Sequence, residues 1–345
     1  MLYVDGDAVP AALRHDLGGE AAGDREPGVD AGLARLQPLL QHIRRHFAAS
    51  SVCWDGEVYT GTGNSVTILS LRAGRLAVDL APAAGGSIAR FAIETADGAF
   101  DLLRPADGAA MACYPLVPYS NRIANGRLVV GGEEIILKAN WPGQRHPMHG
   151  DGWARPWQVA RQGPGSAELV YEHDGQDGWP FRYRAGQVFR LDEDRLAVAM
   201  TIENLESRPV PAGLGLHPFF SRDADTELAC RVEGVWRADA DVLPIDRVTV
   251  PPEWSFAHSR PVDDVILDNC FDGWDGRATI RWPRRGLGLT LEATEPFRHL
   301  VIYVPKGRPH FCVEPVSHAN GAVARALLPA GAALAGEIAF RPFML

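Results

Sequence analysis

The chain predicts an all-β fold of antiparallel sheets packed face to face, and three features carry that expectation. From Ser65 onward, short apolar-rich runs recur between turn residues. Gly and Pro are frequent, 36 and 26 in 345 residues, and are spread along the chain, as turns between many short strands require. The crossover helices of about ten or more residues that a doubly wound parallel sheet needs between its strands are missing from the pattern. No internal repeat of fixed period is visible.

Taken in order, residues 1–64 differ from the rest. Asp16 to Asp30 is Gly- and charge-rich and reads as turn or disorder. Leu33, Leu36, Leu39, Leu40, Ile43 and Phe47 then recur at helical spacing. Pro38 is tolerated best in a first turn, so a short amphipathic helix is expected to start near Leu36. Alone it cannot form a core and must pack on the main domain or at a subunit interface, in a monomer or a homodimer. The Thr60–Asn64 segment reads as a linker, and its two glycines lack the Lys-Ser/Thr pair of a phosphate loop. The expected organisation is therefore an N-terminal extension over 1–64 and a β-sandwich domain over 65–345.

Strands are predicted over Val66–Leu71, Leu76–Leu80, Ile88–Ile93, Ala167–Tyr171, Phe181–Leu191, Arg195–Ile202, Leu228–Val235, Ala278–Trp282, Leu287–Ala293, Leu300–Val304 and Glu337–Phe340. Phe181, Tyr183 and Ala185 alternate with Arg182, Arg184 and Gly186, as a strand with one buried face does. Ala84-Gly-Gly-Ser-Ile88 supplies a tight turn before one of the runs.

Bulk properties exclude several functions. The net charge of −9 is scattered, with no basic stripe to neutralise phosphates, which argues against nucleic acid as a partner. The five cysteines are far apart and include no C-x-x-C pair, which excludes a disulfide framework or a cysteine-rich zinc site and fits a reducing compartment. No apolar run approaches ~18 residues, so no membrane span is expected. The first thirty residues lack the continuous apolar core of a secretory signal, so the expected location is cytoplasmic. No cofactor is called for.

Four polar clusters and one carboxylate stand in apolar company. In Phe311-Cys-Val-Glu-Pro-Val-Ser-His318, alternation puts Cys312 and Glu314 on one face. A carboxylate there is either a structural ion pair or a functional group. Arg122, in Asn121-Arg122-Ile123 after two prolines, can offer fixed donors to hydroxyls or can pair a neighbouring acid. His149, in His146-Pro-Met-His-Gly-Asp-Gly-Trp153, sits beside glycines and reads as accessible. Its spacing from His146 would suit a metal, but no third ligand is evident. Trp153 and Trp157 can offer aromatic faces to a sugar or fill core. His217 precedes a proline in Gly213-Leu-Gly-Leu-His-Pro-Phe-Phe220, which places it on a strand or at its end. Asp268 follows an apolar run and can accept two hydroxyl bonds or cap a turn. Together these residues suit a small polyhydroxylated substrate.

The signatures Ala84–Ile88, Asn121-Arg-Ile123, His149-Gly150 with its tryptophans, His217-Pro-Phe-Phe220 and Phe311–His318 occur here in one order. With them the chain resembles the aldose 1-epimerase (galactose mutarotase) family over roughly residues 65–345. The resemblance implies a large antiparallel β-supersandwich that binds a sugar in an open cleft. It also implies that His217 is the general acid, that Glu314 is the general base, and that Arg122, His149 and Asp268 bind the sugar. Glu314 would take the anomeric hydroxyl proton while His217 protonates the ring oxygen; the ring opens, the C1–C2 bond rotates, and reclosure gives the other anomer of a free aldohexose. The family often has Tyr where this chain has Phe219, and Gly-Gly after the histidine where this chain has Gly150-Asp151-Gly152. Two alternatives use the same framework. A hexose-phosphate epimerase would need extra cations, for which Arg155 is a candidate, and a non-catalytic sugar binder would not use the acid/base pair.

Overall fold

The computed structural model describes residues 67–107, 111–141 and 143–345. The helix and linker predicted within 1–64 lie outside the described residues.

Two large sheets dominate. In the eleven-stranded sheet, neighbours run Leu69–Ala73, Leu76–Ala81, Ser87–Thr95, Gly98–Leu103, Leu216–Ser221, His310–Val316, His299–Val304, Leu267–Asp272, Gly234–Ala238 and Pro244–Thr249. A short branch, Cys113–Pro115, pairs with both Leu216–Ser221 and Ser87–Thr95. The nine-stranded sheet runs Arg260–Pro261, Glu227–Cys230, Arg277–Trp282, Leu287–Ala293, Ala333–Met344, Leu196–Asn204, Arg182–Leu191, Ser166–Asp174 and Gln158–Gly163. The strand pairings within both sheets are antiparallel, as the short runs and frequent turns predict.

The main core lies between the sheets. Leu103, Phe220, Phe271, Leu300, Ile302, Phe311 and Val313 come from one sheet, and Phe189, Val198, Met200, Leu289, Leu291, Ile338 and Phe340 from the other. Each such side chain contributes about 1.5–3 kcal/mol when taken out of water. Because side chains alternate, the same strands also present a second set of residues on the opposite face of the eleven-stranded sheet. There Tyr114, Leu116, Cys270, Val301, Val316 and Ala319 form a separate buried cluster, packed against Phe219, Trp153 and Trp236.

Two elements differ from expectation. Leu228–Val235 is not one strand: Glu227–Cys230 belongs to the nine-stranded sheet and Gly234–Ala238 to the eleven-stranded one. The alternation itself breaks there, with Leu228 and Cys230 buried in one phase and Val235 in the other, so the chain changes sheets. Cys113–Pro115, for which no strand is predicted, is a short strand whose Tyr114 pairs with His217. The Gly85-Gly86 turn forms as predicted, and Gly86 has a φ of +59°, with a Cβ there only 2.7 Å from the Trp157 ring.

Candidate active site

Residues opposite each other on antiparallel strands share a face. Phe219 pairs with Cys312 and Gly215 bridges Val316, so His217 and Glu314 fall opposite each other between these two pairs. Pro218 and Pro315 follow them on the two strands and supply no N–H, so the ladder is interrupted where the side chains meet. His217 Nε2 lies 3.2 Å from Glu314 Oε1, and both residues are buried. The next strands continue the row through Val301 to Cys270 and Trp236, and Asp268 lies opposite Tyr303, which in turn pairs with Cys312.

The imidazole is held by stacking. Its ring lies 4.6 Å from that of Tyr114 and 4.5 Å from that of Phe219, both nearly parallel to it. The Arg104 guanidinium lies over the Phe219 ring at 4.2 Å. Each ring contact contributes about 0.5–1.5 kcal/mol. Orientation is therefore set by packing, and His217 Nδ1 is buried without a hydrogen-bond partner.

His149 meets the pair edge-on, its ring 5.4 Å from that of His217. It is buried, not accessible as its flanking glycines suggest. Gly150 has a φ of +68°, and a Cβ there would come within 2.1 Å of the Val117 carbonyl oxygen, so this loop can lie close only with glycine. His149 Nδ1 accepts a hydrogen bond from the Asn121 backbone N–H at 3.1 Å. The ring proton of the neutral form is thereby fixed on Nε2. Burial, helped by the charge of Arg122, pushes His149 down to about 3, so it is a neutral donor. His146 accepts from the Asn125 N–H in the same way, at 2.9 Å.

Burial raises Glu314 well above the usual carboxylate range, Asp268 adds to the rise, and Arg122 opposes it. Burial likewise holds His217 well below the ordinary imidazole value, with His149 adding to the effect. Both directions describe a pair that shares one proton across 3.2 Å. Asp268 is a half-buried strand residue rather than a turn cap; burial raises its carboxyl and Arg122 opposes this. Arg122 thus acts on His149, Asp268 and Glu314 together, and among the described residues it has no ion-pair partner. His217, Cys312 and Glu314 place one ligand atom each within 4.8 Å of one another, so a soft divalent ion would fit there, but it would occupy the lone pairs that proton transfer needs.

The sequence left several contributors unassigned. Phe219 and Cys312 were recoverable from alternation, being two residues from His217 and Glu314 respectively. Arg104 carried no signal, because an isolated Arg before Pro105 belongs to no pattern. The tryptophans divide: Trp157 is buried in the main core, whereas Trp153 packs at 4.6 Å on Trp141 beside Tyr114. Asp151 is a buried anchor. It accepts hydrogen bonds from Tyr171 (2.6 Å) and Tyr183 (2.7 Å) and lies 2.9 Å from His173 Nδ1. Arg155 pairs with Asp177 at 3.5 Å.

Residues 67–337 match the family described as aldose 1-epimerase. The chain is 34% identical over 266 residues to the uncharacterized protein YphB of Escherichia coli K12, covering 74% of this chain and 89% of that one. A crystal structure of a putative aldose 1-epimerase from Escherichia coli K12 superposes with a TM-score of 0.75 at 32% identity, covering 81% of this chain and 99% of the other. Escherichia coli aldose 1-epimerase is 28% identical over 150 residues, 42% of each chain.

Proposed function

This chain belongs to the aldose 1-epimerase family, and on that premise we propose that it interconverts the α and β anomers of an aldose, with Glu314 as base and His217 as acid. The observation that carries the proposal is the 3.2 Å contact between His217 Nε2 and Glu314 Oε1, two buried titratable groups that share a proton. A hemiacetal bears its hydroxyl and its ring oxygen on one carbon. Acid and base must therefore converge on neighbouring atoms, and a pair in contact meets that demand.

The proton count is balanced. With the shared proton passed from Glu314 to His217, Glu314 takes the proton of the anomeric hydroxyl as the C1–ring oxygen bond breaks, and His217 delivers its proton to the ring oxygen. The anomeric carbon becomes an aldehyde, its C1–C2 bond rotates, and the ring oxygen attacks the other carbonyl face. Each group then reverses its role, so the pair ends the turnover holding the one proton it started with. His149 Nε2–H is a fixed donor beside the developing charge. Arg122 and Asp268 are the donor fork and the acceptor that orient the hydroxyls.

The test is polarimetry on freshly dissolved α-glucose and α-galactose, with the protein added at catalytic concentration. Anomer equilibration should accelerate in proportion to protein. Binding of a sugar without acceleration would overturn the proposal in favour of a carbohydrate-binding role.

A further inference from the structure

On the Phe219 side of the His217–Glu314 pair, positive charge exceeds what its neighbours balance. Arg104 follows the strand Gly98–Leu103, and its N–H bonds to the Phe219 carbonyl at 2.8 Å. Its guanidinium lies over Phe219 and donates to the Met111 carbonyl at 3.3 Å, while its Nε is buried without a partner. No carboxylate pairs with it among the described residues. His310 lies opposite Ser221, two positions before Cys312 on the same face, with its ring edge-on to Phe219 at 5.3 Å. Its Nδ1 is also buried and unpartnered. Burial and the charges of Arg104, Arg308 and Arg222 push His310 down to about 4. Of these arginines, Arg222 is neutralised by Asp263. Arg104 and Arg308 have no ion-pair partner among the described residues. Unpaired guanidinium groups gathered around a half-buried histidine are unfavourable unless an anion joins them.

The position matters as much as the charge. Glu314 lies on one side of the His217 strand and Arg104 on the other, one side-chain row along, or about 7 Å. In the reaction proposed above, Glu314 faces the anomeric hydroxyl and His217 faces the ring oxygen. The next ring atom beyond that oxygen carries the exocyclic carbon. A substituent there leaves the acid/base pair on the His217 side, toward Phe219 and Arg104.

We propose that the substrate is an anionic aldose whose phosphate or carboxylate sits on the exocyclic carbon and is bound by Arg104, with Arg308 and His310 completing the subsite. This rests on the acid/base reading of His217 and Glu314. Arg155, the cation singled out from the sequence, lies instead at the surface beside Asp177, at 3.5 Å.

The experiment compares kcat/KM for anomer interconversion of glucose, glucose 6-phosphate and glucuronate, followed by NMR line exchange. One of the two anionic sugars should exceed glucose by about tenfold or more, as charge-assisted bonds to a guanidinium warrant. The 6-phosphate and the uronate distinguish the two sources of charge. Arg104→Gln should lower the anion-to-glucose ratio about tenfold, with Arg104→Lys recovering part of it, and Arg308→Gln, in an exposed turn, should lower it by a smaller factor. Turnover of glucose at least as fast as both anions overturns the proposal and leaves the epimerase reading standing. So does an Arg104→Gln variant that slows all three sugars alike, which would make Arg104 only a support for Phe219. Turnover of none of the three overturns both.

Discussion

Among the described residues there are two buried histidine–carboxylate pairs, and they are built on opposite terms. His173 and Asp151 lie 2.9 Å apart, and every polar atom of the pair is used. Tyr171 and Tyr183 donate to the carboxylate, and the second ring nitrogen of His173 meets the Trp179 carbonyl at 2.7 Å. Burial lowers the His173 pKa, but Asp151 and the Trp179 carbonyl outweigh it, and the net shift is upward. His217 and Glu314 lie 3.2 Å apart with aromatic rings and thiols for company, and His217 Nδ1 has no partner. There burial prevails on both groups. The saturated pair fastens the His149 loop to the nine-stranded sheet. A starved pair keeps a mobile proton. The lesson is that burial decides the direction of a pair's shifts only where hydrogen bonds do not answer it.

Breaking the starved pair should cost the most activity. Glu314→Gln and His217→Asn should each slow mutarotation by about 10²–10⁴-fold, the usual worth of a general acid or base, measured by polarimetry. The same Glu314→Gln change should not weaken the fold. Glu314's folded pKa is raised, so its contribution to stability is complete below the ordinary carboxylate value and is lost as pH rises from there toward the folded value. The Gln variant lacks this contribution, and wild type should lose stability relative to it by about 1 kcal/mol per pH unit, read from melting curves above pH ~4.3. A Gln variant that melts well below wild type at pH 8 would make Glu314 a structural residue.

Breaking the saturated pair should act on stability instead. Asp151→Asn leaves His173 without its carboxylate and should cost about 3 kcal/mol in chemical denaturation. His173's folded pKa is raised, so its stabilisation is complete below the unfolded value and disappears as pH rises through the folded one. His173→Gln should flatten that part of the pH–stability curve.

A smaller effect tests the electrostatics around Glu314. In the proposed reaction the His217–Glu314 pair holds one proton, so kcat/KM should be bell-shaped in pH. Asp268 raises Glu314's pKa and Arg122 lowers it. Asp268→Asn should therefore move the alkaline limb to lower pH, and Arg122→Gln should move it to higher pH, each by about one unit. Shifts of the same sign would show that the two residues act only by binding. The smallest effect belongs to the stack: Tyr114→Leu should lower kcat by less than about tenfold, since one ring contact contributes about 0.5–1.5 kcal/mol.

The strands around the site were legible from alternation of residue type, as in Phe311 and Val313, which face the main core, against Cys312 and Glu314 on the opposite and equally buried face. The break between Cys230 and Gly234 was harder to read, because a change of sheet leaves only a slip in phase. The prolines after His217 and Glu314 marked an interrupted ladder without saying that the two interruptions face each other. Asp151 could not be sorted from the functional residues, since its partners Tyr171, Tyr183 and His173 lie on strands of the other sheet.

By itself, then, the amino-acid sequence determined the all-β class, the family, and which residues carry titratable or donor groups in apolar surroundings, since alternation, turn chemistry and motif order are local properties of the chain. Only the tertiary structure decided that His217 meets Glu314, that His149 presents a fixed Nε2–H, that Asp151 is saturated while Glu314 is not, and that Arg104 stands unpaired on the His217 side. Those facts depend on strand register and sheet pairing between residues up to a hundred positions or more apart, and hydrogen-bond satisfaction is a property of the neighbours a residue acquires on folding.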